Sequence, residues 1–150
     1  MLIQQEDGFL EYVKVTLNPP ATDSEIDKLP FNIPADYKDF LKLHNGAKLF
    51  WSTEFGGGFE LLSIEEILND LKNLDDCPKG WFPIAFGDEG SRLMITPYKK
   101  EKYLFWMDTG TNYDDDHYIG LSFYEWLEYF IVSQGSIFWL WNVRNYNRMG

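Results

Sequence analysis

This chain is short of three things, and each shortage removes a class of function. Among its 150 residues there is a single cysteine, Cys77, so no disulfide can form within it. The two histidines, His44 and His117, lie in unrelated contexts, and Cys77 is followed by Pro78 with no signature of an activated thiol. A cysteine nucleophile needs a histidine and an orienting group gathered around it, so papain-like chemistry is not expected. Basic residues are also scarce: 13 lysines and arginines against 24 acids leave a formal charge of −11. Phosphate backbones and anionic lipid surfaces are gripped through Lys and Arg, so neither nucleic acid nor membrane is an expected partner. Long apolar runs are missing too, and none approaches the roughly 18 residues of a membrane span. The first residues lack the basic and apolar regions of a secretory signal, which makes a cytoplasmic location the expectation.

Nucleotide motifs are absent as well. No Gly-x-Gly-x-x-Gly or Walker sequence occurs, and Gly56-Gly57-Gly58 lacks the Lys-Ser/Thr and helix start that would make it a phosphate loop. It reads as a flexible turn. The sequence therefore calls for no catalytic residues and no cofactor.

What is present is acid and aromatic carbon. Aromatic residues make up 18% of the chain, and each brings a large apolar area to a core or an interface. A chain this long buries roughly 68–70% of its unfolded surface, so it folds without metal or disulfide. One domain spanning 1–150 is expected, with no linker or internal repeat. The acidity has two readings. It keeps the protein soluble, or it favours a basic protein partner by raising the rate of encounter.

Local patterns give the elements. Proline at the first helical position is preorganised for the turn, and Asp36 beside Pro34 complements the exposed amide dipoles. Tyr37, Phe40, Leu41 and His44 then fall on one helical face, and Asn45-Gly46 ends the helix. Ser/Thr-x-x-Glu capping boxes at Thr22/Glu25, Ser63/Glu66 and Ser122/Glu125 mark other helix starts. In the last of these helices Phe123, Trp126, Leu127, Phe130 and Ile131 form an apolar stripe. Between the boxes lie short aromatic segments at 48–51, 59–62, 82–86, 92–95 and 103–107, punctuated by Gly, Pro and Asp. They read as strands, with Lys99-Lys100-Glu101 at a hairpin tip. Residues 3–17 fit helix and strand equally, and the apolar tail from Ile137 docks as a last helix or strand. The fold class expected is α+β: a mostly antiparallel sheet with helices packed around it.

These residues, from Ile33-Pro34-Ala35-Asp36-Tyr37 through Leu43-His44-Asn45-Gly46, resemble the signature of the SUKH superfamily, which includes cell-wall glucan-synthesis regulators and bacterial immunity proteins. The resemblance runs over roughly positions 15–134. It includes the helix from Thr22, the strand and helix at 57–68, the strand-and-turn Phe82 to Gly90, and the helix from Ser122. The family commonly carries a further acidic or amide residue after the Gly-Asp-x-Gly loop. Here Ser91-Arg92 follows, so no role passes to that position. The resemblance implies a non-enzymatic binding protein, monomeric or weakly dimeric. It would neutralise a toxin, possibly a nuclease, or act as a regulatory scaffold for endogenous enzymes.

Three places are candidates for partner binding. Gly87-Asp88-Glu89-Gly90 holds two adjacent carboxylates on a turn, able to pair with Arg or Lys, although turn chemistry alone explains its residues. Asp114, Asp115 and Asp116 lie in the acidic segment 108–117, which reads as a solvated loop, a patch for a basic partner, or a site for a hard cation. An EF-hand is excluded there by Tyr113 at its sixth position and Ile119 at its twelfth, and no metal is assigned. Trp51, near Glu54, is either a core residue or an aromatic anchor beside that acidity.

Overall fold

A computed structural model describes residues 2–4, 10–52, 58–97, 99–108 and 110–140, with side chains from Lys14 onward. Of the region 3–17, which sequence left open, the described residues are strand: β1 (Leu2–Gln4) pairs with β2 (Leu10–Leu17), and residues 5–9 lie outside the described residues. Two helices follow, α1 (Asp23–Ile26) and α2 (Ala35–Leu43), then β3 (Ala47–Ser52) and β4 (Phe59–Leu61). The helix α3 (Ile64–Leu71) leads to β5 (Phe82–Phe86), β6 (Arg92–Ile95) and β7 (Leu104–Met107), and α4 (Phe123–Val132) closes the order. All neighbouring strands pair antiparallel, and their order across the sheet is their order in the chain. The α+β expectation holds.

The capping boxes form as read. Thr22, Ser63 and Ser122 each accept from the amide of the Glu three residues on, and that Glu returns to the cap amide. Pro34 stands one residue earlier than expected, as the cap itself, because its ψ of 141° is extended and Ala35 begins the helix. His44 is likewise off the helix face. Its backbone is extended at the C-cap, and its Nδ1 lies 2.9 Å from the carbonyl of Asn18. Gly46 has φ +91°, and a Cβ there would stand 2.7 Å from the carbonyl oxygen of Leu61. Only glycine lets β3 start so close to β4.

One face of the sheet carries the main core. Tyr37 of α2 and Phe123 of α4 meet edge to face at 5.1 Å, and Phe59 packs on Trp126 and Phe130 of α4. The α4 stripe is narrower than its spacing implied. Phe123, Trp126 and Phe130 are buried, but Ile131 is 53% exposed, because only residues facing α2 and the sheet gain cover. The described part of the apolar tail forms a helical turn at 138–140 that buries Trp139 against Trp106, and residues 141–143 lie outside the described residues. A second, smaller cluster of Trp81, Met94 and Phe105 lies outside this core, and Leu74, Cys77, Tyr113 and Tyr118 cover it. Met94 and Phe105 are buried there while their strand neighbours Leu93 and Leu104 join the main core, as strand alternation requires. This end of the sheet is therefore roofed on both faces.

Asp36 ties the two main helices to the sheet. Its Oδ1 accepts from the Tyr37 amide and the Tyr103 hydroxyl, and its Oδ2 accepts from the Tyr124 amide at 3.1 Å. The Tyr103 oxygen accepts in turn from the Phe123 amide at 2.9 Å. The first amides of α4 are thus capped by Tyr103, Asp36 and Ser122. Burial, then the bond to Asp36, raises the Tyr103 pKa far above that of a free phenol.

Candidate protein-binding surface

Antiparallel order decides where the candidate residues fall. The registers Leu49↔Phe59, Glu60↔Phe86, Phe86↔Arg92 and Arg92↔Met107 place the end of β3, the turn between β5 and β6 and the loop leaving β7 at one end of the sheet. Trp51, the Asp88–Gly90 turn and the start of the loop leaving β7 therefore share an edge, while Asp114–Asp116, further along that loop, stand against Pro78 and Trp81 of the second cluster. With ~4.8 Å between strands the edge is about 20 Å wide, the scale of a modest protein interface. Glu54, the remaining candidate, lies outside the described residues. The exposed Lys99, Lys100 and Lys102 lie at the opposite end, in the β6–β7 hairpin.

A bulge turns Trp51 outward. Between the pairs Lys14↔Trp51 and Thr16↔Lys48, β3 holds one residue more than β2. Leu49 and Phe50 are consecutively buried, and Phe50 takes φ 53° to manage it. The next residue, Trp51, belongs to neither described core cluster. It is half-buried, its Nε1–H donates to Thr16 Oγ1 at 3.0 Å, and Lys14 Nζ lies 5.4 Å from its ring centre. Trp51 is thus a half-buried residue outside both core clusters.

The 88–90 turn is a tight 3-10 turn. The Asp88 carbonyl accepts from the Ser91 amide at 3.1 Å and from the Ser91 hydroxyl at 2.7 Å. These bonds, rather than the Asp88 carboxylate, fix the turn, and the carboxylate is left exposed. Glu89 is also exposed and sits in the left-handed region at φ 55°, where a non-glycine residue is strained. Gly87 faces inward, and a Cβ there would meet Ser91 Oγ at 2.5 Å and the Trp106 ring at 2.9 Å. The turn is seated on the core, and both of its acids are exposed.

Arg92, one step beyond, does not oppose this acidity. Its Nε donates to Asp70 Oδ2 at 2.7 Å and its second terminal nitrogen to Asp70 Oδ1 at 3.0 Å, a bidentate pair with the nearly buried α3 carboxylate. That bonding raises the Arg92 pKa further. A third donation, from its other terminal nitrogen, reaches the Gly90 carbonyl at 3.3 Å.

In the acidic loop, Asp114 and Asp116 are exposed, while Asp115 folds back so that its Oδ2 accepts from the Asn112 amide at 2.8 Å. Tyr113 is anchored inward toward Cys77, and burial, then Cys77 itself, pushes its pKa up to about 12. Burial likewise raises the Cys77 thiol, the reverse of what an activated nucleophile needs. No group of three or more His, Cys, Asp or Glu able to hold a metal occurs among the described residues. Between this loop and the second cluster opens a cleft of 410 Å³, lined by Asp114, Asp115 and Asp116 with Trp81, Tyr113 and Tyr118. Sequence reading missed these aromatic walls. Trp81 lies far from the acids along the chain, Tyr118 drew no notice although it follows them by two residues, and Tyr113 registered only as a residue that spoils an EF-hand.

The architecture on which these loops sit is a meandering antiparallel sheet with helices packed against it. The chain belongs to the SMI1 / KNR4 family (SUKH-1), whose profile matches residues 20–129. Among its relatives is the protein described as "Uncharacterized protein YobM" of Bacillus subtilis (strain 168), 32% identical over 164 residues, covering 98% of this chain and 86% of that one. Another, "Uncharacterized protein YnaB" of the same strain, is 29% identical over 126 residues, covering 80% of this chain and 83% of its own. No helix among the described residues is long and apolar enough to cross a membrane.

Proposed function

We propose that this protein is a non-enzymatic immunity protein, cytoplasmic and without cofactor, that masks the basic active-site cleft of a toxin domain of nuclease type. Membership in the SMI1 / KNR4 family supports a protein-binding role of immunity or regulatory kind. The observation that carries the finer reading is exposed acidity on two loops. Asp88 and Glu89 are exposed on the β5–β6 turn and Asp114 and Asp116 on the loop after β7, while Arg92 beside the turn is already paired with Asp70. Trp51, at the same end of the sheet as the turn, adds an aromatic anchor, and Asp115 contributes by fixing its loop. A nuclease cleft built to hold phosphates is cationic, so it complements this acidity. Partner charges would speed encounter, and any fully desolvated Arg–carboxylate pair would hold the complex.

The test is co-expression with toxic domains encoded beside this gene. Restored growth and a stable complex are expected, with growth lost again when Asp88, Glu89, Asp114 and Asp116 are changed together to their amides. Capture of a housekeeping enzyme with no toxic neighbour would instead support the regulatory-scaffold reading.

A further inference from the structure

We propose that the cleft beside the acidic loop is a pocket for one arginine side chain of a protein partner. The inference deepens the binding role above by assigning its anchor. Three observations meet here. First, the cleft of 410 Å³ has room for a guanidinium side chain. Second, its walls are aromatic. Tyr113 stands edge-on to Trp81 at 5.5 Å and 88°, and Tyr118 packs across Phe105 at 5.1 Å, so the tyrosine rings are held in fixed orientations. Third, its rim carries Asp114 and Asp116, both exposed, with Asp115 locking the loop from within. A ring face attracts a cation through its quadrupole, and a carboxylate at the rim pairs with the same charge.

The fold already displays this chemistry on the neighbouring surface. Lys99 Nζ sits 4.1 Å from the centre of the Tyr118 ring, a cation drawn to the wall from the chain's own hairpin. An arginine suits the cleft better than a lysine. Its flat guanidinium stacks on a ring and forks to a carboxylate at once, and it is less strongly hydrated than an ammonium group. The Tyr113 hydroxyl stays protonated across the physiological range, so the wall is a neutral donor and ring rather than another anion.

The experiment is an NMR titration of the full-length ¹⁵N-labelled protein with N-acetyl-arginine amide. N-acetyl-citrulline amide serves as the uncharged isostere. Saturable shifts confined to residues 78–81 and 110–118 are expected with arginine, and binding about tenfold weaker with citrulline. Tyr113→Ala should weaken the arginine probe about tenfold, whereas Tyr113→Phe, which keeps the ring, should bind as the parent does. If Tyr113→Ala loses its dispersed spectrum, the pair Asp114→Asn/Asp116→Asn takes its place, since both acids are exposed. Equal binding of arginine and citrulline would overturn the proposal. So would shifts that never saturate and spread over the whole acidic surface. Because no toxin enters this titration, its failure leaves the co-expression test standing, and a failed co-expression leaves a positive titration intact.

Discussion

Asp36 receives hydrogen bonds from three elements, and its replacement should be felt in all of them. Asp36→Ala leaves the Tyr103 hydroxyl and the Tyr124 amide without their acceptor, and should cost roughly 2–4 kcal/mol in urea unfolding. Asp36→Asn, which keeps an acceptor, should cost less. The same knot gives an alkaline limit. Tyr103 and the fully buried Tyr37 both have pKa values raised in the fold, so the native state keeps protons that the unfolded chain releases. Their contribution is complete below the unfolded phenol pKa of about 10 and is lost as pH rises above it. Stability measured by denaturant should therefore hold from neutral pH to about 9 and fall beyond 10, less steeply in Tyr103→Phe. Glu89 predicts the opposite balance between stability and binding. Glu89→Gly relieves a left-handed backbone and should leave the fold equally stable or up to about 1 kcal/mol more stable. It should nonetheless slow association with a basic partner, because strain here is kept for the sake of an outward carboxylate.

Elements with local causes were legible in the sequence. Each capping box needs only four consecutive residues, and all three formed where Thr22, Ser63 and Ser122 announced them. Ser122→Ala should lower stability by about 1 kcal/mol, even though Asp36 and Tyr103 still hold two of the α4 amides. Glu125, whose pKa is lowered by the Ser122 amide, keeps its part of this cap until pH falls through that depressed value. What stayed illegible depended on distant partners. The 3–17 region fits two periods, and only pairing with β3 decides it. Ile131 obeys the helical stripe, yet no element reaches over to cover it. The left-handed turn at Phe50 that brings Trp51 to the surface depends on β2 and on Gly135, whose Cβ would strike the Phe50 ring at 2.7 Å. Arg92 was visible only as a departure from the family pattern, and its partner Asp70 lies on another element. That pair offers a clean test. Asp70→Ala, which strands the guanidinium, should cost roughly 1–3 kcal/mol, while Asp70→Leu with Arg92→Met together should cost clearly less by the same melt.

For the whole molecule, the decisive property is where charge sits rather than how much there is. A chain with 24 acids against 13 bases could spread them evenly. Instead the meander sets Asp88 and Glu89 on the β5–β6 turn and leaves Lys100 and Lys102 in the hairpin at the other end of the sheet, with Asp114 and Asp116 exposed on the loop after β7. Such polarity orients an approaching cationic surface and accelerates its capture, an effect that salt screens. Association with a basic partner should slow by at least about tenfold between low and moderate salt, and the amide variant at 88, 89, 114 and 116 should be slow and salt-insensitive throughout. The most direct measurement is growth of cells expressing a toxic domain encoded beside this gene, together with either the parent chain or that amide variant. The account predicts rescue by the parent and loss of rescue by a variant that remains folded. Equal rescue by both, or a complex whose association ignores salt, would contradict it.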